Sequence, residues 1–144
     1  MFELLIRRSA QFSKLGSPLS FSVLHTFTTI GNDGAYPAGG LVQDSSGGLF
    51  GTTSHRGFNG MGTVYKIALG QLVDNVLHNF SASGGDAQYP RGKLAQDSRG
   101  VIYGTTSIGG SNGCGTLFEI HPNGSNYSIL RTYAHIHSPG VKRV

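Results

Sequence analysis

The residue types that most often carry out chemistry are scarce in this sequence of 144 residues, which contains seven acidic residues, six histidines and one cysteine. Glu3 and Glu119 are the only glutamates, and no Ser-His-Asp, Cys-His or paired-carboxylate arrangement stands out. General acid–base catalysis needs two titratable groups that are matched and held in position. We therefore predict that the chain is not an enzyme, with no catalytic residues and no cofactor.

Metal ligands are also poorly represented. Cys114 is the single cysteine, so neither an intrachain disulfide nor a cysteine-based zinc site can form. His25 and His78 each lie in an apolar run without a second ligand at a useful spacing, which favours histidines bonded within a strand over metal ligands. Asp44 and Asp97 are interpreted as turn residues, with calcium binding through Asp and Ser oxygens as the alternative. No metal site is predicted.

The best candidates for ligand contact are His55, Arg56 and Phe58, in a loop with a counterpart 53 positions later. That counterpart reads Ile-Gly-Gly-Ser at 108–111, so the two loops differ in charge and in aromatic content. Positions that differ between two copies of a repeat are not required by the shared scaffold, and individual binding functions are expected there. These three side chains are therefore predicted to form a contact patch.

Arg91 and Lys93 form a second candidate pair, because they stand where the first copy of the repeat has Ala38 and Gly40. Two interpretations are open: both residues contact a ligand, or both are ordinary solvated side chains, as most arginines and lysines are. The solvated interpretation is favoured, and ligand contact is the alternative.

An internal repeat organises the chain. Val23-Leu-His-Thr-Phe27 returns as Val76-Leu-His-Asn-Phe80, and Gly51-Thr-Thr-Ser54 returns as Gly104-Thr-Thr-Ser107. Residues 23–67 match residues 76–120 at 24 of 45 positions without a gap. Self-similarity at a fixed period is typical of solenoids, propellers and other repeat arrays. Many of the 23 glycines recur at this offset, which indicates that they mark turns of a repeated unit.

Each repeat contains four short runs of β-forming residues, separated by turn residues such as Asp44-Ser-Ser-Gly47. This pattern predicts four consecutive antiparallel strands. A four-stranded sheet of about 40 residues cannot bury both of its faces alone, so neighbouring sheets must stack, as the blades of a β-propeller do. The predicted fold class is all-β, with tandem four-stranded antiparallel blades. In the first copy the predicted strands are Leu41–Asp44, Leu49–Ser54, Thr63–Ile67 and Val76–Phe80.

When each blade is taken as these four consecutive strands, residues 39–81 form one blade and residues 92–134 form another. Residues 20–27 then supply the last strand of a blade whose other three strands are absent. The predicted architecture is therefore an incomplete, propeller-like array of about two blades plus one strand. The predicted domain organisation is an N-terminal tail at 1–17, the tandem repeat region at 18–134 and a C-terminal tail at 135–144.

Four motifs of the first copy resemble the GloVer (Gloeo/Verruco) tandem repeat of bacterial proteins. They are Asp33-Gly-Ala-Tyr-Pro37, Gly40-Leu-Val-Gln-Asp-Ser45, Leu49-Phe-Gly-Thr-Thr-Ser54 and Gly60-Met-Gly-Thr-Val-Tyr-Lys-Ile67. The second copy matches the same pattern, and the resemblance covers residues 20–133. It implies a propeller-like repeat array, commonly found on exported or surface-anchored proteins, with no established catalytic residues.

Charge and hydropathy argue against two kinds of partner. The net charge of +4 comes from the ends of the chain, since residues 1–22 contribute +2 and residues 129–144 contribute +3, while residues 23–128 sum to −1. Nucleic-acid binding needs a basic stripe on the folded surface, so no nucleic-acid partner is predicted. No apolar run approaches the roughly 18 residues of a membrane span. The N-terminus does not resemble a secretory signal, and the compartment is left open.

The predicted function is a structural or binding scaffold for a protein or a carbohydrate, either on its own or as a piece of a longer exported repeat protein. Two blades cannot close a ring that typically needs four to eight, and unpaired strand edges tend to join other edges. Self-association, or association with other repeat units, is therefore expected. The alternative is a remnant or subunit of a β-propeller enzyme, such as a polysaccharide lyase or hydrolase.

Overall fold

The computed structural model describes residues 2–7, 21–28, 32–68 and 74–135, and these residues contain eleven β-strands and no helix. In chain order the strands are β1 (Phe2–Arg7), β2 (Phe21–Phe27), β3 (Gly34–Gln43), β4 (Leu49–Arg56), β5 (Thr63–Ile67), β6 (Asp74–Asn79), β7 (Ala87–Pro90), β8 (Ala95–Gln96), β9 (Ile102–Gly109), β10 (Thr116–Ile120) and β11 (Ser128–Thr132).

These strands form three antiparallel sheets. Sheet 1 is β1-β2, sheet 2 is β3-β4-β5-β6, and sheet 3 is β7-β9-β10-β11 with β8 also paired to β9. The prediction of an all-β fold built from antiparallel sheets is confirmed. The three described sheets do not close into a ring.

The first strand of each repeat is longer than the sequence predicted. β3 begins at Gly34 rather than Leu41, and its first half pairs with the end of β4. In sheet 3 the same strand is divided into β7 and β8. Pro37, Gly39 and Gly40 in the first half of β3 are weak strand formers, so local propensity concealed this part of the strand.

Sheet 1 corrects the prediction of a single strand at residues 20–27 without neighbours, because β2 pairs along its length with β1. A bulge in β2 leaves Leu24 without a partner, and Leu77 in β6 and Leu130 in β11 are left out of their ladders in the same way. These three leucines are spaced by 53 positions. β1 therefore occupies the place of the third strand of a repeat, and half a repeat precedes the two complete ones.

The predicted tails are only partly visible. The segment 1–17 contains β1, which is paired in sheet 1. Residues 8–20 and 136–144, which hold the rest of the two predicted tails, lie outside the described residues. The limits of the repeat region at 18 and 134 stay a prediction.

The three sheets stack through two apolar clusters, because neighbouring residues along the strands of sheet 2 point to opposite faces. We call the cluster between sheets 1 and 2 the first interface; its buried members are Phe27, Leu49, Tyr65 and Ile67. We call the cluster between sheets 2 and 3 the second interface; its buried members are Phe50, Val64, Phe80, Ala87, Leu94, Ile102, Phe118 and Ile120.

A phenylalanine at the end of the last strand of a repeat anchors each interface. Phe27 is 1% exposed and meets the Tyr65 ring edge-to-face, with 5.0 Å between centroids. Phe80, the equivalent residue, is 0% exposed and meets the Phe118 ring in the same way at 5.2 Å. Burying one such side chain stabilises a fold by about 1.5–3 kcal/mol. Both interfaces are thus built on one repeated contact.

Candidate functional site

A row of three aromatic side chains crosses the boundary between the two complete repeats. The His55 ring lies between those of Tyr36 and Tyr89, with centroid distances of 5.3 Å and 5.1 Å respectively. Tyr36 in β3 is 52% exposed, whereas His55 in β4 and Tyr89 in β7 are half-buried. We call these three side chains the aromatic row. Because Tyr89 comes from sheet 3, the row exists only when sheets 2 and 3 are stacked.

Both tyrosines of the row have a left-handed backbone, with φ of +58° at Tyr36 and +54° at Tyr89. Bulky residues rarely occupy this region, and holding one there costs about 1–3 kcal/mol. The Ser54 hydroxyl donates to the Tyr36 carbonyl at 3.2 Å, and the Ser107 hydroxyl donates to the Tyr89 carbonyl at 3.0 Å. The Tyr89 amide also donates to the Met61 carbonyl at 3.0 Å. The backbone of both tyrosines is therefore fixed.

Of the predicted contact residues, the structure brings His55 into the aromatic row and places Arg56 and Phe58 in the loop that follows. His55 Nδ1 is 2.9 Å from the Ser54 hydroxyl oxygen, which sets the ring against its own strand. Arg56 is exposed, and Phe58 is 74% exposed. The Phe58 amide donates to Asn79 Oδ1 at 2.7 Å, so the loop backbone is held although the Phe58 ring is in solvent.

Arg91 and Lys93 lie where the first strands of the two repeats meet. The stem of Lys93 passes over Gly40, since a Cβ placed on Gly40 would lie 3.3 Å from Lys93 Cγ. Gly39 and Gly92 approach so closely that a Cβ on Gly39 would lie 2.5 Å from the Gly92 carbonyl oxygen. Arg91 and Lys93 are both exposed. The aliphatic part of the Lys93 side chain thus packs on the neighbouring repeat, although Lys93 as a whole is exposed to solvent.

The two strand histidines are each bonded to an aspartate eight residues later. His25 Nε2 is 3.2 Å from Asp33 Oδ2, and His78 Nε2 is 3.3 Å from Asp86 Oδ2. Each aspartate also accepts a backbone amide from the residue three positions after its histidine, at 2.9 Å in both copies. The histidines are therefore bonded structural residues, as the sequence favoured.

Tyr127 joins the second of these pairs from sheet 3. Its ring stacks on His78 with 3.7 Å between centroids and 17° between planes, and its hydroxyl donates to Asp86 Oδ1. Burial is the largest cause that raises the pKa of Tyr127 above its usual range, and the hydrogen bond to the Asp86 carboxylate is the second. Burial alone would raise the pKa of Asp86, but hydrogen bonds from His78 and Tyr127 outweigh burial and lower that pKa. We call His78, Asp86 and Tyr127 the clasp, because they tie sheet 2 to sheet 3.

A cavity of about 420 Å³ lies between the equivalent turns that follow β3 and β8, at the far end of β3 from Tyr36. The pKa of Asp44 is lowered to about 2, mainly by the hydrogen bond from Ser46. Hydrogen bonds from the Gly48 amide and from Lys66 add smaller contributions. In the other turn burial opposes ionisation of Asp97, but the hydrogen bonds of Arg99 outweigh it and lower that pKa. Both carboxylates are engaged by their own turns. Among the described residues no group of three potential ligands is arranged to hold a metal.

Comparison with models of known protein families identifies the family of this chain. Residues 12–142 match the model of the Gloeobacter/Verrucomicrobia repeat. The chain belongs to the Gloeobacter/Verrucomicrobia repeat family. This match confirms the resemblance seen in the motifs of the two copies. Searches of curated proteins and of solved structures returned no match. The part of this family member that the structure describes contains no helix that could cross a membrane.

The sequence missed two parts of the site in this Gloeobacter/Verrucomicrobia repeat. Tyr36 and Tyr89 are identical in the two copies, so a search for differing positions does not find them, and a residue before proline is expected to have an extended rather than a left-handed backbone. Tyr127 was missed because its counterpart 53 positions earlier is Asp74. The available signal for the clasp was the spacing of eight residues between histidine and aspartate, which both copies share.

Proposed function

We propose that this member of the Gloeobacter/Verrucomicrobia repeat family is a non-enzymatic, propeller-like scaffold that binds a carbohydrate at the aromatic row. The observation that carries the proposal is the exposed Tyr36 ring, held with His55 and Tyr89 by a fixed backbone. Aromatic rings offer an apolar face together with a polar edge, which suits a sugar ring with its C–H face and hydroxyl rim. A surface that is already ordered loses little entropy when it binds.

The order of the strands supports a propeller-like arrangement. Within sheets 2 and 3 the strands pair in sequence order, apart from the break between β7 and β8. The sheets stack face to face through the two interfaces. Their first strands approach at the equivalent glycines Gly39 and Gly92, as the innermost strands of neighbouring blades would at a central axis.

The shifted titratable groups support a non-enzymatic role. Perturbed pKa values often mark catalytic groups, but structural hydrogen-bond networks perturb them as well. The pKa shifts of Asp44 and Asp97 arise from their own turns and from Lys66 and Tyr103 on the adjoining strands. Those of Asp86 and Tyr127 arise within the clasp between sheets. None of these four groups belongs to the aromatic row, so the network explanation is the simpler one.

The test is binding of soluble oligosaccharides, selected on a glycan array and measured by calorimetry. Tyr36→Ala should weaken binding at least about tenfold, because it removes the most exposed ring of the row. Ile108→Ala is the matched control, since Ile108 is 44% exposed and lies outside the row; the affinity of this variant should match that of the wild type. Equal losses in both variants, or a folded protein that binds no glycan, would contradict the proposal.

The non-enzymatic part has its own assay. The wild type is incubated with every polysaccharide that it binds, and new reducing ends and unsaturated products are measured. We expect neither product. Turnover that disappears in His55→Ala while the protein remains folded would favour the polysaccharide lyase or hydrolase alternative instead.

A further inference from the structure

The two interfaces of the chain use one set of equivalent positions. On the face of sheet 2 that packs on sheet 3, Phe50, Val64 and Phe80 are each 0% exposed. Val42, Met61 and Leu77 pack against the same cluster. Every one of these positions has a counterpart 53 residues later, on the face of sheet 3 that points away from sheet 2. We call that surface the outer face; the counterparts are Ala95, Tyr103, Cys114, Leu117, Leu130 and Tyr133.

The outer face keeps the apolar character of its counterpart but not its burial. The anchoring position at the end of the last strand is 1% exposed as Phe27 and 0% exposed as Phe80, but 42% exposed as Tyr133. The bulged Leu130 is 48% exposed, whereas Leu77 is packed into the second interface. Among the described residues no sheet covers this face. Exposed apolar patches of this kind mark sites of protein association.

We propose that the outer face of sheet 3 binds sheet 1 of a second copy of this chain, and so builds a third interface of the same kind. The argument is continuity with the two interfaces already present. In the existing interfaces the anchoring phenylalanine meets Tyr65 or Phe118, and these residues are paired with Val76 and Ile129. In β1 the same register position is held by Leu5, which pairs with Val23.

The expected assembly follows from this geometry. A contact between two different faces is head-to-tail, and such contacts generate closed rings when the rotation allows it. The described residues of each chain form three sheets, of which sheet 1 is half a repeat with two strands. Two copies therefore bring six sheets, which is within the four to eight blades of known propellers. The structure therefore assigns a two-copy ring as the assembled form. This inference is independent of carbohydrate binding at the aromatic row.

The first test is the mass of the full chain by sedimentation velocity over a concentration series. The wild type should be a dimer at micromolar concentration. Leu130→Asp places a charge at the centre of the outer face and should weaken the dimer at least about thirtyfold, as hot-spot substitutions do. Phe58→Asp is the matched control, because Phe58 is 74% exposed in the loop after β4 of sheet 2, which takes no part in the proposed contact; its dimer should persist.

Cys114 provides a second measurement that does not depend on a variant that folds poorly. Its counterpart Met61 is packed into the second interface, and Cys114 itself is half-buried in the described chain. Alkylation of the reduced thiol should therefore slow as wild-type protein concentration rises. A folded wild type that is monomeric at all concentrations, with a constant alkylation rate, would overturn the proposal. A dimer that Leu130→Asp leaves intact would overturn it as well.

Discussion

In the described part of the chain, sheet 2 has an apolar neighbour on both faces, whereas sheet 3 has one on a single face, although the two sheets carry the same repeat. Phe80 is 0% exposed and its counterpart Tyr133 is 42% exposed. His78 meets Asp86 and Tyr127 across the second interface, while its counterpart Arg131 lies over the Tyr133 ring at 5.9 Å. The difference shows that the repeat determines which positions are apolar, and that the neighbour determines which of them are buried.

The largest effect is expected at the anchoring position. Phe80→Ala should lower the free energy of unfolding by about 3–5 kcal/mol, because it leaves a cavity in the second interface. Tyr133→Ala should lower it by less than about 1 kcal/mol, since the side chain is already exposed. Urea unfolding at low protein concentration, where copies are dissociated, measures both. Equal losses would mean that the two positions do not differ in burial.

The clasp should give the next largest effect. Tyr127→Phe keeps the ring on His78 but removes the hydroxyl that donates to Asp86, and we expect a loss of about 1–2 kcal/mol. Tyr103→Phe is the control, because the Tyr103 hydroxyl donates at 3.2 Å to Asp97, whose carboxylate also accepts hydrogen bonds from the exposed Arg99; we expect a loss below about 0.5 kcal/mol. Calorimetric unfolding of the two variants would be compared, and a larger loss for Tyr103→Phe would refute this ranking.

The turn after β3 should show a pH-dependent effect of smaller size. The folded-state pKa of Asp44 is lowered to about 2, so its ionised form stabilises the fold above the ordinary aspartate pKa of about 4. That stability is lost as the pH falls from about 4 towards 2. Asp44→Asn should cost at most about 1 kcal/mol at neutral pH, and the difference from wild type should vanish near pH 2. A difference that stays constant over this range would rule out Asp44 as the source.

The smallest effect on stability is expected from exchanging a residue between the copies. His55→Ile gives the first copy the residue that the second has at Ile108, and the free energy of unfolding should change by less than about 0.5 kcal/mol. Carbohydrate affinity should nevertheless fall about tenfold, because the aromatic row loses its middle ring. Ile108→Ala should leave that affinity unchanged. Retained binding in His55→Ile would remove His55 from the proposed site.

Most of the fold could be predicted because the repeat is long and ungapped. The alternation of Leu49 with Phe50 and of Val64 with Tyr65 directs neighbouring side chains to opposite faces, and this pattern is legible in the sequence. β1 escaped prediction because it does not follow the offset of 53. Leu5 lies 60 positions before Tyr65, the residue with the same register, since the segment between β1 and β2 is longer.

The candidate site was predicted only in part. His55 was found because it differs between the copies, whereas Tyr36 and Tyr89 are identical in both and were not among the predicted contact residues. These tyrosines serve the scaffold through their strained backbone and also present rings beside His55. The comparison of copies therefore detects residues that have changed, and it cannot detect shared residues that take part in a site.

The sequence by itself determined the all-β class, the last three strands of each complete repeat and the apolar positions. Turn chemistry and period-two alternation act between near neighbours in the chain, so these features are local. The tertiary structure alone decided that Tyr127 reaches Asp86, 41 residues away, and that Tyr133 stays exposed where Phe80 is buried. Both outcomes depend on which sheet stacks on which face. No local pattern encodes that neighbour, because equivalent faces carry mainly apolar residues at the same positions whether or not they are covered.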